Sequence, residues 1–154
     1  MFKTITEHHD FIVVDKAPGV NFHDEGDIGS GLFSQVMRQL ENQSEKQSEK
    51  QQCNNITEVE LYPVHRLDKM TSGLVIFAKT LAAAQYFGKL FENHEIDKYY
   101  LAISDKKPSK KQGLIKGDMT KSRRGMFKLL RSMDNPAITQ FFSYSIGGPK
   151  GNRT

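Results

Sequence analysis

Hydrophobic residues along the chain fall into short runs whose spacing switches between the two-residue period of a strand and the 3.6-residue period of a helix. Phe11-Ile12-Val13-Val14-Asp15 is a β-branched run closed by Lys16-Ala17-Pro18-Gly19, which predicts a strand entering a turn. Leu32, Phe33, Val36, Met37 and Leu40 recur at helical spacing, with Ser30 available as an N-cap. Gly73 to Lys79 is apolar on both faces and predicts a strand central in its sheet. Thr80 then caps a predicted helix with Ala83, Phe87, Leu90 and Phe91 along one stripe. Asp97 to Ser104 alternates as a strand, with Tyr99, Leu101 and Ile103 on one face and Lys98, Tyr100 and Ala102 on the other. Gly113, Gly117 and Gly125 punctuate the next segment into short strands as turns, and Ala137 to Ile146 reads as a last strand. Strands and helices mix without a strict βαβ rhythm. The predicted class is α+β: a mixed, mainly antiparallel sheet with flanking helices.

Residues 41–55 break both periods. They contain the tandem Gln43-Ser44-Glu45-Lys46 and Gln47-Ser48-Glu49-Lys50 and almost no apolar residue, so burial cannot offset their ordering entropy. An exposed, mobile low-complexity insertion is expected. A solvated extension of the preceding helix is the alternative, because Glu, Gln and Lys are good helix formers. The length of 154 residues suits one domain spanning 1–154 with a real core. Its longest apolar runs fall far short of the roughly 20 residues that span a bilayer, which excludes a membrane protein. Glu7-His8-His9-Asp10 occupy the place where a secretory signal needs its apolar core, and Cys53 alone cannot close a disulfide. A reducing cytoplasm is the expected compartment.

The net charge of +4 is unevenly distributed. Lys106 to Arg131 holds 10 basic residues and one acid, Asp118, for a local charge of +9, which leaves the rest of the chain at −5. Basicity confined to one segment is what a phosphate-tracking surface looks like, although Lys-rich loops are also commonly just solvated.

Candidate chemistry concentrates in His65-Arg66-Leu67-Asp68-Lys69-Met70-Thr71-Ser72-Gly73, a polar loop feeding directly into the most apolar strand. Asp68, ionised at neutral pH by the reference behaviour of its residue type, can act as nucleophile, base or cation ligand. Arg66 could orient that carboxylate or hold a phosphate bidentately. Spacing leaves open an ordinary Arg66–Asp68 ion pair stiffening a turn, with Thr71 and Ser72 bonding the backbone. A relay of His65 and Asp68 in an unrelated acid–base enzyme is disfavoured for want of a third orienting group. The histidines His8, His9, His23, His65 and His94 lack a metal-ligand spacing.

Taken together, His65-Arg66-Leu67-Asp68, two residues, then Thr71-Ser72-Gly73-Leu74 resembles the signature of the RluA family of RNA pseudouridine synthases. Phe11 to His23 is similar to the family's opening strand and Lys-x-Pro-x-Gly turn ending in His, with the proline displaced in Lys16-Ala17-Pro18-Gly19. Lys98-Tyr99-Tyr100-Leu101-Ala102 is similar to its Lys-x-Tyr-x-Ala strand, and Ala137-Ile138-Thr139 to its later Ala-x-Thr strand. The resemblance implies a pseudouridine-synthase catalytic fold and conversion of uridine to its C-glycoside isomer. Asp68 then matches the catalytic aspartate, as nucleophile or as base toward a sugar proton, both roles remaining open. Tyr100 matches the tyrosine packed against the target base. Chemistry on a stacked base requires flipping it out, and Arg66 is the candidate to fill the vacated space or hold the adjacent phosphate. Lys121, Arg123, Arg124 and Lys128 are the candidates to grip the RNA backbone.

The implied partner is a structured ribosomal or transfer RNA, with no membrane, no obligate protein partner and a monomeric state expected. The isomerisation is redox-neutral, so neither cofactor nor metal is implied. Family members continue into a Thr-Gly-Arg-Thr-His-Gln-Ile-Arg motif and further strands, whereas this chain stops at Pro149-Lys150-Gly151-Asn152-Arg153-Thr154. The expectation is therefore a partial catalytic domain, incomplete at its C-terminus. The rival expectation is a non-catalytic RNA-binding remnant of such an enzyme.

Overall fold

A computed structural model describes residues 2–51, 59–105, 108–123 and 126–145. Its elements run β1 (Phe2–Glu7), β2 (Phe11–Lys16), α1 (Leu32–Gln51), β3 (Tyr62–Pro63), β4 (Gly73–Ala78), α2 (Leu81–Glu92), β5 (Gln112–Gly117), β6 (Met119–Lys121), β7 (Phe127–Leu129) and β8 (Ala137–Phe142). The chain divides into two compact units, Met1–Tyr99 and Tyr100–Thr154.

The first unit is built on a four-stranded sheet of order β1-β2-β4-β3, every pair antiparallel. The strict alternation of β2 explains its central place. Ile12, Val14 and Lys16 are fully buried, and their register partners on β4 are Phe77, Val75 and Gly73. Over this face α1 brings Leu32, Val36 and Leu40, one residue per helical turn, into a cluster completed by Phe22, Leu61 and Leu67. The Phe22 ring stacks on Phe77 at 5.6 Å between centroids. Each such buried aliphatic or aromatic side chain contributes about 1.5–3 kcal/mol of transfer free energy, so this cluster is what orders the unit.

The start of α1 corrects the expected cap. Ser30 Oγ accepts the Glu25 N–H at 3.4 Å, and the cap comes instead from Asp24. Its carboxylate accepts the Gly31 and Gly29 N–H groups at 2.6 and 2.8 Å and the Ser34 hydroxyl at 3.0 Å. The bonds from Gly29 and Gly31, before that from Ser34, hold the Asp24 carboxyl below its usual range. The Leu32 and Phe33 N–H groups are taken by the carbonyls of Asn21 and Phe22.

Of the two readings for 41–55, the helical extension is what the described part shows. Residues 41–51 continue α1, and 52–58 lie outside the described residues. Once the buried Leu32–Leu40 turns have nucleated the helix, good helix formers propagate it at little cost. Thr80 caps α2 as expected, its Oγ1 accepting the Ala83 N–H at 3.2 Å. The stripe of Ala83, Phe87, Leu90 and Phe91 is only half-buried, and no residue of α2 is fully buried.

In the second unit β5 pairs with β8, and β6 with β7, both antiparallel. Gly113 and Gly117 sit within β5, not in turns: a Cβ there would strike the Phe141 ring and the Leu130 carbonyl oxygen respectively. The last strand ends at Phe142, while Gly125 and Ile146 lie outside the described residues. Asp97–Ser104 does not form the expected strand. Tyr99, Leu101 and Ile103, which would share one face of that strand, are 89%, 104% and 89% exposed. Alternation alone does not make a strand: no described residue supplies a ladder to that segment, and its residues are exposed.

Candidate active site

The loop between β3 and β4 is anchored at four points that leave its polar residues outward. Leu67 turns into the core, 8% exposed, while its neighbours Arg66 and Asp68 are exposed. The Asp68 carbonyl accepts the Thr71 N–H at 3.1 Å, closing a tight turn. Gly73, at φ 131°, makes the sharp change of direction into β4 that a side chain would oppose. Among the described residues, the Asp68 carboxylate accepts no hydrogen bond and forms no ion pair, and Arg66 likewise has no partner. The Arg66–Asp68 turn-stiffening pair is therefore not formed. Both groups are presented outward by a rigid backbone.

The third anchor is one the hydrophobic pattern hides. Lys16 occupies a core position of β2 and is fully buried. Its ammonium donates to the carbonyls of Val20 and Lys69 at 3.0 Å and of Ala17 at 3.2 Å, using all three of its protons. The Lys69 carbonyl also accepts the Gly19 N–H at 2.8 Å. The Lys16–Gly19 turn thus clamps the residue next to Asp68. Burial pushes the Lys16 ammonium below the usual lysine value, and the negative charge of Asp68 opposes that fall. The signal for this role was available in the sequence: a lysine at the inward period of a β-branched strand needs acceptors.

His65 is the fourth anchor. Strand β3 is only two residues long, and beyond it the imidazole Nε2 accepts the Ile76 N–H of β4 at 3.0 Å, extending the edge pairing. Its ring packs against Phe91 of α2, centroids 5.0 Å apart. The ring is therefore neutral at Nε2 and committed to the backbone, which removes the His65–Asp68 relay. Burial, and after it the nearby Lys98, holds its pKa below the ordinary histidine value. With the folded value depressed, the unfolded chain binds the extra proton in the window just below about 6.5, so stability rises with pH there and is lost as pH falls toward the folded value. Urea unfolding followed across that window should show this loss in the wild type, with its slope reduced in His65→Gln. An equal slope in both proteins would show that His65 is not the responsible group.

Tyr100 belongs to the second unit and is 64% exposed, outside any strand. Lys121 and Lys128 lie on the β6–β7 hairpin, and Arg123 follows β6 before the turn. Lys121 is register partner of Phe127, and Lys128 of Thr120. Successive positions on a strand alternate faces, so the hairpin sends Lys121 and Lys128 to opposite sides. It does not gather them on one face. Arg124 lies outside the described residues. Asp118, the one acid of this segment, is occupied structurally: its carboxylate accepts the Asp134 and Asn135 N–H groups at 3.0 and 2.9 Å. The Ser132 hydroxyl, followed by these two amides, keeps its carboxyl below the usual range.

The sheet-anchored loop thus offers a carboxylate with no partner among the described residues, and comparison with known proteins gives the chain a family. Residues 10–153 match the family model described as RNA pseudouridylate synthase, and the chain belongs to that family. It is 44% identical over 143 residues to an uncharacterized RNA pseudouridine synthase of Haemophilus influenzae, covering 93% of this chain and 56% of the relative. It is 39% identical over 72 residues to ribosomal large subunit pseudouridine synthase C of Rickettsia bellii, covering 47% of this chain and 24% of that one. A third match is tRNA pseudouridine synthase C of Haemophilus ducreyi, 44% identical over 43 residues, or 28% and 18% of the two chains. The chain thus spans about half the length of the Haemophilus influenzae relative and smaller shares of the others. The fold is shared with human RNA pseudouridylate synthase domain containing 1, at TM-score 0.61 and 19% identity over 91% of this chain and 50% of that one. Human RNA pseudouridylate synthase domain containing 4 matches at TM-score 0.58 and 20% identity, over 90% and 51%. Among the described residues no helix is long and apolar enough to cross a membrane.

Proposed function

We propose that this chain carries the catalytic aspartate of an enzyme that isomerises uridine to pseudouridine in ribosomal or transfer RNA. The observation that carries the reading is Asp68, whose carboxylate has no side-chain partner among the described residues, on a loop held by Lys16, His65, Leu67 and Gly73. A group kept free yet rigidly presented is what a nucleophile or base needs. The N1–C1′ bond breaks, the base turns, C5 bonds to C1′, and the proton lost from C5 is balanced by one taken up at N1. Asp68 either attacks C1′ or removes a sugar proton. Because that chemistry cannot reach a stacked nucleotide, the target is flipped out, with Arg66 filling its place or holding the neighbouring phosphate. The enzyme acts in the cytoplasm as a monomer.

Uridine mapping by carbodiimide-stop primer extension over ribosomal and transfer RNA tests the reading, in cells with and without the gene. At least one stop should disappear with the gene and return on its re-expression. Identical maps would overturn the assignment. Salt-dependent RNA binding with identical maps would favour the non-catalytic remnant.

The basic segment supplies affinity in this reading. Replacing Lys121, Arg123, Arg124 and Lys128 together by Ala should weaken RNA binding and lower the log–log salt slope by roughly 0.7 for each of the four that neutralises a phosphate of a single strand. Filter binding at several salt concentrations reads both quantities, and an unchanged slope would remove these residues from the interface.

A further inference from the structure

The hairpin turn between β1 and β2 brings together three metal-ligating side chains that the family's chemistry does not use. His8, His9 and Asp10 are consecutive, so their spacing carries none of the i, i+4 periodicity by which helical ligand pairs are recognised. The turn nevertheless converges one donor atom from each, all within 4.8 Å of one another. His9 Nε2 lies 2.8 Å and His8 Nδ1 3.7 Å from the same Asp10 carboxylate oxygen. A tetrahedral ion with ligand bonds of about 2.0–2.1 Å asks for donor–donor edges of about 3.4 Å, a value these two distances bracket.

The arrangement is built by backbone and ring contacts. The His8 N–H donates to the Phe11 carbonyl at 2.8 Å, and the Asp10 carbonyl accepts the Lys79 N–H of the chain leaving β4 at 2.7 Å. The His8 ring stacks on Phe11 with centroids 5.2 Å apart and touches the His9 ring at 4.1 Å. His8 Nδ1 accepts the Asp10 N–H at 3.3 Å, a long bond that an ion at this nitrogen would replace. The cationic neighbour Lys79 is already neutralised by Glu7 at 2.8 Å. A shallow depression lined by Glu7, Gln43, Lys46 and Lys79 beside the two histidines leaves room for water as a further ligand.

We propose that His8, His9 and Asp10 form a surface site for a divalent transition-metal ion of the zinc class. Two imidazoles and one carboxylate are the donor set such ions favour over magnesium or calcium. The ion bridges His9 Nε2 and the Asp10 carboxylate, which lie 2.8 Å apart without it. The site stands apart from the proposed catalytic loop. Asp10 precedes β2 and Lys16 closes it, a run of six residues that spans about 20 Å at roughly 3.3 Å per residue.

Zinc ion alone is the probe, titrated into the chain in competition with a chromophoric chelator, in a Cys53→Ser background so that the single thiol cannot ligate. One ion should bind per chain, and Co2+ in its place should give visible d–d bands without a sulfur charge-transfer band. His8→Gln/His9→Gln should weaken binding at least about tenfold while unfolding at an unchanged urea midpoint without metal, and His94→Gln should leave binding as it was. Absence of binding, equal affinity in the double variant, or dependence on His94 would overturn the site.

Discussion

Asp68→Asn and Asp68→Ala should abolish pseudouridine formation, by at least about 10³-fold in single-turnover rate, while RNA affinity stays within about threefold. The loss is expected to be near-total because no other residue of the loop carries a carboxylate. His65 is committed to the Ile76 amide, and Arg66 and Lys69 are cations that cannot attack or deprotonate a sugar. The affinity is spared because the carboxylate repels phosphate, and its removal takes nothing from the electrostatic grip. Re-expression of each variant in cells lacking the gene, read by carbodiimide stops, reports the isomerisation, and filter binding reports the affinity. Stops restored by Asp68→Asn would refute the catalytic assignment. Stops that vanish together with binding would mean that Asp68 supports the RNA-binding surface instead.

Lys16→Met should cost about 2–4 kcal/mol of stability. The methionine keeps most of the apolar stem in its core position but leaves the carbonyls of Ala17, Val20 and Lys69 without their common donor. Each partly buried acceptor stripped of a charged donor costs about 1 kcal/mol or more, softened by whatever water enters. The effect is local before it is global, since Gly19 and Lys16 share the Lys69 carbonyl. Hydrogen exchange at the Gly19 amide should therefore accelerate more than exchange in the middle of β2. Urea denaturation and exchange measured on the same protein separate the two effects. A variant as stable as wild type with unchanged Gly19 exchange would show that the clamp contributes nothing.

The elements easiest to foresee were those whose apolar residues sit on one short-range period and are covered within the same unit. Strand β2, strand β4 and the first turns of α1 all follow from spacing, because burying Ile12, Val14, Leu32, Val36, Val75 and Phe77 leaves few alternatives. Thr80 capped α2 because its partner amide lies three residues away, within reach of any local rule. Asp24 escaped notice because it caps from seven residues before Gly31, a distance that only the folded path of the intervening turn makes short. Asp97–Ser104 failed in the opposite sense. Its alternation is real, but a strand is a relation between two segments, and one segment's pattern does not supply the other.

At the site, the signature loop was legible and the roles of its neighbours were not. Residue order alone made Asp68 the candidate carboxylate and Arg66 its companion, since nine consecutive residues carry that information. What holds them did not follow. Lys16 is 53 positions away from the carbonyl it clamps, and His65 serves an amide 11 positions further on. The local charge of +9 is likewise a property of composition, whereas the separation of Lys121 from Lys128 across the β6–β7 hairpin follows from register.

By itself, the sequence determined the family, the α+β class, the catalytic candidate and the basic segment, because each is written in local residue type and spacing. The tertiary structure decided which polar groups are spent on the fold and which are left over for chemistry. It assigned Lys16, His65 and Asp24 to backbone partners, left Asp68 without a partner among the described residues, and converged His8, His9 and Asp10 on one turn. The physical reason is that hydrogen-bond satisfaction and ligand convergence depend on distances in space, and for residues far apart in the chain those distances exist only once it has folded.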